Sequence, residues 1–106
     1  MEGYIEAEGY IYCVASNGLY KVGHTFDVNF IINITKAYNV GIAYGFTNSK
    51  ILFSKRVLHP KLKDEQIINI LETYYYNKNG FYDIDVEEIK KLFDLVDGYY
   101  FTYDEK

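Results

Sequence analysis

The dipeptide Asn17-Gly18 constrains this chain more than any other feature of its sequence. It separates two short runs, 9–15 and 19–23, that alternate and are rich in β-branched and aromatic residues. Asn and Gly both tolerate the positive φ of a type I′ turn, so the pattern predicts a β-hairpin over about 9–23. Asp27 then offers a side-chain oxygen to the bare N–H groups of a helix that starts at Val28.

The rest of the chain alternates between the two periods. A first helix is expected over 28–38, with Val28, Ile31, Ile32 and Tyr38 near one face. The segment 39–49, with Gly41, Gly45 and Asn48, reads as a loop holding a short extended piece at 42–46. A third strand is expected over 50–58, with Ile51, Phe53 and Lys55 on one face and Leu52, Ser54 and Arg56 on the other. Pro60 ends it. A second helix is expected over 63–76, with Ile67, Ile70, Leu71 and Tyr74 as its apolar stripe and 77–80 as its terminator. Phe81 to Ile84 reads as extended. Asp85 and Glu88 have the spacing of a capping box for a third helix, which buries Val86, Ile89, Phe93 and Val96 and stops at Gly98. Residues 99–103 read as a final strand or an aromatic tail. The fold class expected is α+β: one domain over 1–106, a small three-stranded antiparallel sheet flanked by about three helices.

Composition narrows the function classes. A chain of 106 residues that is 49% hydrophobic with a single Pro can bury a core and is not a disordered segment. Cys13 is the only cysteine, which suits a reducing compartment, and in a strand it reads as a small buried hydrophobe. The acidic beginning lacks a signal pattern, and no apolar run approaches the ~20 residues that span a bilayer. An intracellular protein without a membrane segment is expected. The net charge is −4 and Arg56 is the single arginine, an unpromising balance for a nucleic-acid binder. Lys50, Lys55, Arg56, His59, Lys61 and Lys63 cluster in sequence, so weak nucleic-acid binding stays open. Thirteen tyrosines, with many Asn, Ile and Lys, look like the product of an AT-rich genome.

The stretch Gly9-Tyr10-Ile11-Tyr12, followed by Tyr20-Lys21-Val22-Gly23-His24-Thr25, resembles the core of the GIY-YIG nuclease family, and most of all its viral and phage branch. The resemblance runs, more weakly, to about Asp85, where Asn79-Gly80-Phe81-Tyr82-Asp83 resembles the close of that branch's segment. It implies a three-stranded sheet with helices against it and a Mg²⁺-dependent cut of a phosphodiester. It also implies strand tyrosines that orient water, an Arg early in the first helix, and a carboxylate on a later helix that holds the metal. Tyr12 matches the first-strand tyrosine. Lys21 stands where the second should be, as in the viral branch, and Tyr20 points to the other face. His24 falls where the family often has a basic residue and is a candidate phosphate contact. Glu65 matches the metal carboxylate, with Asp64 and Glu72 as further acids nearby.

Two positions depart from the family. Its Arg falls at Ile31, which offers no charge to a phosphate and reads as core. Its His falls at Asn69. Each retained residue also has a plainer reading: Tyr12 as sheet packing, Glu65 as a solvated acid favoured at a helix start, His24 and His59 as solvated loop histidines.

Two functions follow. One is an active Mg²⁺-dependent endonuclease that uses Tyr12, Lys21, His24 and Glu65. The other, favoured by Ile31 and Asn69, is a GIY-YIG-like domain that has lost cleavage and serves as a binding or self-association module. Its expected surface is aromatic: Tyr74, Tyr75, Tyr76, Tyr99, Tyr100, Phe101 and Tyr103. The viral resemblance places either one in the cytoplasm or nucleus of an infected host cell.

Overall fold

The computed structural model describes residues 7–36, 50–78 and 80–101. Strands β1 (Glu8–Ser16) and β2 (Leu19–Thr25) form the expected hairpin, from Ser16 opposite Leu19 to Tyr10 opposite Thr25. The turn is the one that Asn-Gly encodes, with φ of +54° at Asn17 and +80° at Gly18. Helix α1 (Val28–Lys36) starts where expected, and the Asp27 carboxylate accepts the Asn29 amide at 2.9 Å. The loop and extended piece expected over 39–49 lie outside the described residues.

Strand β3 (Lys50–Leu58) pairs antiparallel with the other side of β1. Helix α2 (Pro60–Tyr74), the two-residue strands β4 (Asn77–Lys78) and β5 (Phe81–Tyr82), helix α3 (Val86–Asp94) and strand β6 (Tyr99–Phe101) follow. The class is α+β, but the expected three-stranded sheet is corrected: among the described residues the sheet has six strands in the order β4-β5-β2-β1-β3-β6. The three added strands hold only two or three residues each. Two of them fall where extended chain is expected, β5 within 81–84 and β6 within 99–103, but all three are too short to display a period of two, so sequence pattern alone does not place them in the sheet.

β1 lies at the centre and is buried on both faces, which is why it reads as nearly continuous apolar sequence. On one face Ile11, Cys13, Val22 and Val57 pack against Ile67 and Leu71 of α2 and against Ile89 and Phe93 of α3. On the other face Tyr10, Tyr12, Val14 and Phe81 pack against Ile31 of α1. Burying an aliphatic or aromatic side chain of this size contributes about 1.5–3 kcal/mol, so each face holds its helices without a metal or disulfide staple.

Several local expectations are also corrected. The pairing of β3 slips between Cys13 and Val14, so Phe53 faces Cys13, Ile51 faces Val14, and Leu52 has no partner on β1. This bulge puts Ile51 on the α1 face and leaves Phe53 and Lys55 on the other, where simple alternation had kept the three together. Helix α2 starts at Pro60, not at Lys63, because a proline fits the first turn, where its missing N–H costs nothing. Its buried stripe is therefore Pro60, Asp64, Ile67 and Leu71, while Ile70 and Tyr74 are exposed. The helix ends at Tyr74 with Tyr75 already extended. Asn77 and Gly80 instead shape the β4–β5 turn, where the Gly80 amide donates to the Asn77 side chain at 2.8 Å. The capping box is absent: Asp85 makes no side-chain cap, and Glu88 pairs with Lys91. Among the described residues no helix is long and apolar enough to cross a membrane.

Candidate functional site

Alternation along β1 and β2 decides which candidate side chains can meet. Tyr12 stands opposite Gly23 and Val14 opposite Lys21, all on the α1 face, whereas His24 stands opposite Ile11 on the α2 face. Tyr12 is buried, stacks beside Phe30 at 5.6 Å and shares its cluster with Ile31, which is 1% exposed. Ile31 is thus core, as its plainer reading held. The Lys21 ammonium lies 5.9 Å from the centre of the Phe81 ring, toward the β5 side of the sheet.

The two motif glycines are both required for space. A Cβ on Gly23 would stand 2.6 Å from the Tyr12 hydroxyl oxygen, so the tyrosine ring lies across the bare backbone of its cross-strand partner. A Cβ on Gly9 would stand 2.6 Å from the Pro60 ring and 2.7 Å from the Thr25 carbonyl, where β1 passes under the start of α2. These close approaches account for glycine at both positions through packing.

His24 departs from its reading as a loop histidine. It lies in β2, and its Nδ1 is 2.7 Å from the Asp64 carboxylate on α2. Asp64 is buried, and its second oxygen has no hydrogen-bond partner among the described residues. Burial pushes the Asp64 carboxyl above its ordinary value, and the His24 hydrogen bond opposes that shift. An imidazole oriented by a buried carboxylate is the arrangement from which a general base works. A helix-side signal for the pair existed: Asp64, Ile67 and Leu71 have the i, i+3, i+7 spacing of one helical face.

Glu65 is exposed on α2, the helix that packs on the face of the sheet opposite Tyr12 and Ile31. It lines a hollow of about 320 Å³ with Ala7, Phe26, His59, Lys61 and Leu62. The sheet therefore separates Tyr12, Lys21 and Ile31 from His24, Asp64 and the helix that carries Glu65. Among the described residues, no three His, Cys, Asp or Glu side chains stand close enough to hold a metal ion together. Asn69 is exposed on α2. The Cys13 thiol is buried and pushed up to about 12, so it is a hydrophobe and not a nucleophile.

The basic cluster of 50–63 does not form one cationic surface. Lys55 is buried and donates to the Phe93 carbonyl at 2.8 Å and to the Val96 carbonyl. Arg56, on the other face, pairs with Glu8, and the Lys63 ammonium donates to the Leu58 carbonyl at 3.1 Å. The aromatic candidates divide as well. Tyr74 and Tyr76 are exposed beside β4, at one edge of the sheet, and Tyr99 is exposed in β6, at the opposite edge. Tyr75 packs on the core, and Phe101 packs edge-on to Tyr10 at 5.2 Å. Tyr100 is bonded to Asp94, and Tyr103 lies outside the described residues.

Comparison with family models, with curated proteins and with solved structures gave no match.

Proposed function

We propose that this chain is a GIY-YIG-like domain of the viral and phage kind that does not cleave nucleic acid and acts as a binding and self-association module. The observation that carries the reading is the burial of Ile31 against Tyr12, on the face of the sheet that α2 does not cover. Phosphodiester cleavage builds negative charge on non-bridging oxygens, and an aliphatic side chain supplies no donor to offset it. A Mg²⁺ held by Glu65 fits this surface poorly. Its hollow is shared with Lys61 and His59, and the buried free oxygen of Asp64 belongs to a carboxylate already paired with His24. The dispersal of the basic cluster further supports weak binding to nucleic acid at most. The exposed tyrosines at both edges of the sheet support a role in association.

The active Mg²⁺-dependent endonuclease is the second reading, and the His24–Asp64 pair beside Glu65 is the observation that favours it. One assay separates the two. The purified chain is incubated with single- and double-stranded DNA in Mg²⁺ or Mn²⁺, beside Glu65→Ala and His24→Ala chains. No cleavage above background is expected from any of them. Robust cleavage by the wild type that both substitutions abolish would overturn the proposal.

A further inference from the structure

The sequence contains two Asn-Gly dipeptides, Asn17-Gly18 and Asn79-Gly80. Asparagine is a thermolabile residue, and most so before glycine, whose amide nitrogen has no Cβ to shield it and a backbone free to rotate. The structure treats the two dipeptides differently. Asn17 and Gly18 are both exposed at the tip of the β1–β2 hairpin. The place that a Cβ on Gly18 would take is open space. The ladder ends at Ser16 opposite Leu19, and among the described residues the Gly18 amide has no acceptor. The Gly80 amide, by contrast, donates to the Asn77 side chain at 2.8 Å. That bond must break before the Gly80 nitrogen can turn and attack.

We propose that Asn17 is a site of spontaneous deamidation through a succinimide, and that the Asn77 side chain protects Asn79 from the same reaction. The Gly18 nitrogen bonds to the Asn17 Cγ, the Cγ–Nδ2 bond breaks, and the Gly18 amide proton leaves with the side-chain nitrogen as ammonia. Water then opens the five-membered ring at one of its two carbonyls. Opening at Cγ leaves aspartate. Opening at the main-chain carbonyl leaves isoaspartate, whose backbone runs through the former side chain.

Both products add one negative charge to a chain of net charge −4. Only isoaspartate lengthens the backbone, in a turn that has just two residues. The φ angles of +54° at Asn17 and +80° at Gly18 match the turn to the twist of the strands, and an added backbone carbon breaks that match. Gly18 is thus wanted for its positive φ and, for the same lack of a Cβ, leaves the turn open to attack.

The test follows wild-type, Asn17→Gly and Asn77→Ala chains in mildly alkaline buffer, folded and in guanidinium chloride, by chymotryptic digestion and mass spectrometry. Gly-Gly retains the turn without the side-chain amide. Circular dichroism melts verify that each variant folds. In denaturant both Asn-Gly pairs of the wild type are expected to convert at similar rates. In the folded wild type Asn79 is expected to lag behind Asn17 by roughly 2- to 10-fold, the factor that one neutral hydrogen bond is worth. Asn77→Ala is expected to remove that lag, and Asn17→Gly to remove the acidic variants that ion exchange resolves from aged wild type. Asn17 that stays an amide in the folded chain while converting in denaturant overturns the proposal. So does Asn79 converting as fast as Asn17 in the folded wild type, or an unchanged Asn79 rate in a folded Asn77→Ala chain. Should Asn77→Ala fail to fold, the wild-type comparison between folded and denatured chain decides.

Discussion

Replacing Lys55 by Met tests whether a buried ammonium holds α3 against the sheet. Lys55 is 4% exposed, and its ammonium donates to the Phe93 carbonyl at 2.8 Å and to the Val96 carbonyl. Both lie at the C-terminal end of α3, where carbonyls lack helical partners and the macrodipole favours a cation. Met keeps the alkyl volume and removes the charge. The Phe93 carbonyl keeps the Val96 amide at 3.0 Å, so the carbonyl left without this donor is that of Val96. An unsatisfied buried acceptor costs about 1–3 kcal/mol. Against that stands relief from burying the charge, which lowers the Lys55 pKa; Asp94 and Asp97 oppose the lowering. The relief is limited because those two carboxylates and the Tyr100 ring, 4.8 Å away, offset part of the desolvation, although Lys90 adds to it. A net loss of about 1–2 kcal/mol is expected, which lowers the melting temperature of a chain this size by roughly 4–16 °C. The assay is urea unfolding followed by circular dichroism at pH 7 and repeated at rising pH. Because the folded pKa lies below the unfolded one, the folded state sheds its proton first. The cost of the buried charge is therefore full at neutral pH and is relieved as pH rises between the two values. Wild-type stability should climb relative to the variant in that alkaline window. A Lys55→Met protein at least as stable as wild type at pH 7 would refute the argument and show that desolvation dominates.

Three further outcomes are expected. His24→Ala leaves the buried Asp64 carboxylate with neither oxygen paired and should cost about 1–3 kcal/mol at pH 7. Since the folded Asp64 pKa is raised, stability is lost as pH rises through it, so the deficit should shrink on acidification and a pH-independent deficit would contradict the assignment. Gly23→Ala drives a methyl into the Tyr12 ring and should destabilise by about 1–3 kcal/mol, with Tyr12→Leu in the same chain recovering part of the loss in thermal melts. Ile31→Arg buries an unpaired guanidinium and should cost about 3–5 kcal/mol, read by urea unfolding, without conferring nuclease activity. A stable, cleaving Ile31→Arg protein would show instead that this position opens onto a site.

What the sequence disclosed follows the range of the interactions. The hairpin was legible because Asn17-Gly18 and its flanking runs are contiguous, and the third strand because nine residues carry a pattern. The face of α2 is harder to read because Pro60 can equally end a strand or open a helix, and here it opens α2. The bulge at Leu52 depends on how β3 meets β1, which no local pattern reports. The His24–Asp64 bond joins residues forty apart, and Lys55 reaches carbonyls thirty-eight and forty-one residues away. The candidate site fared worst for a related reason. Tyr12 and Glu65 each match a short motif separately, and only the sheet between them tells which sides they occupy.

The central position of β1 also has a kinetic consequence. The β1–β2 hairpin can close within about 1–10 μs, since its ends are adjacent in sequence. Yet alone it presents apolar side chains on both faces, and a two-stranded ribbon is marginal in water. It becomes secure only when β3 arrives from beyond α1 to cover its other edge, a closure of much longer loop. The barrier to folding should therefore fall at the docking of β3. Substitutions at the β1–β3 seam, such as Val57→Ala, are then expected to slow folding, while those in α3 speed unfolding.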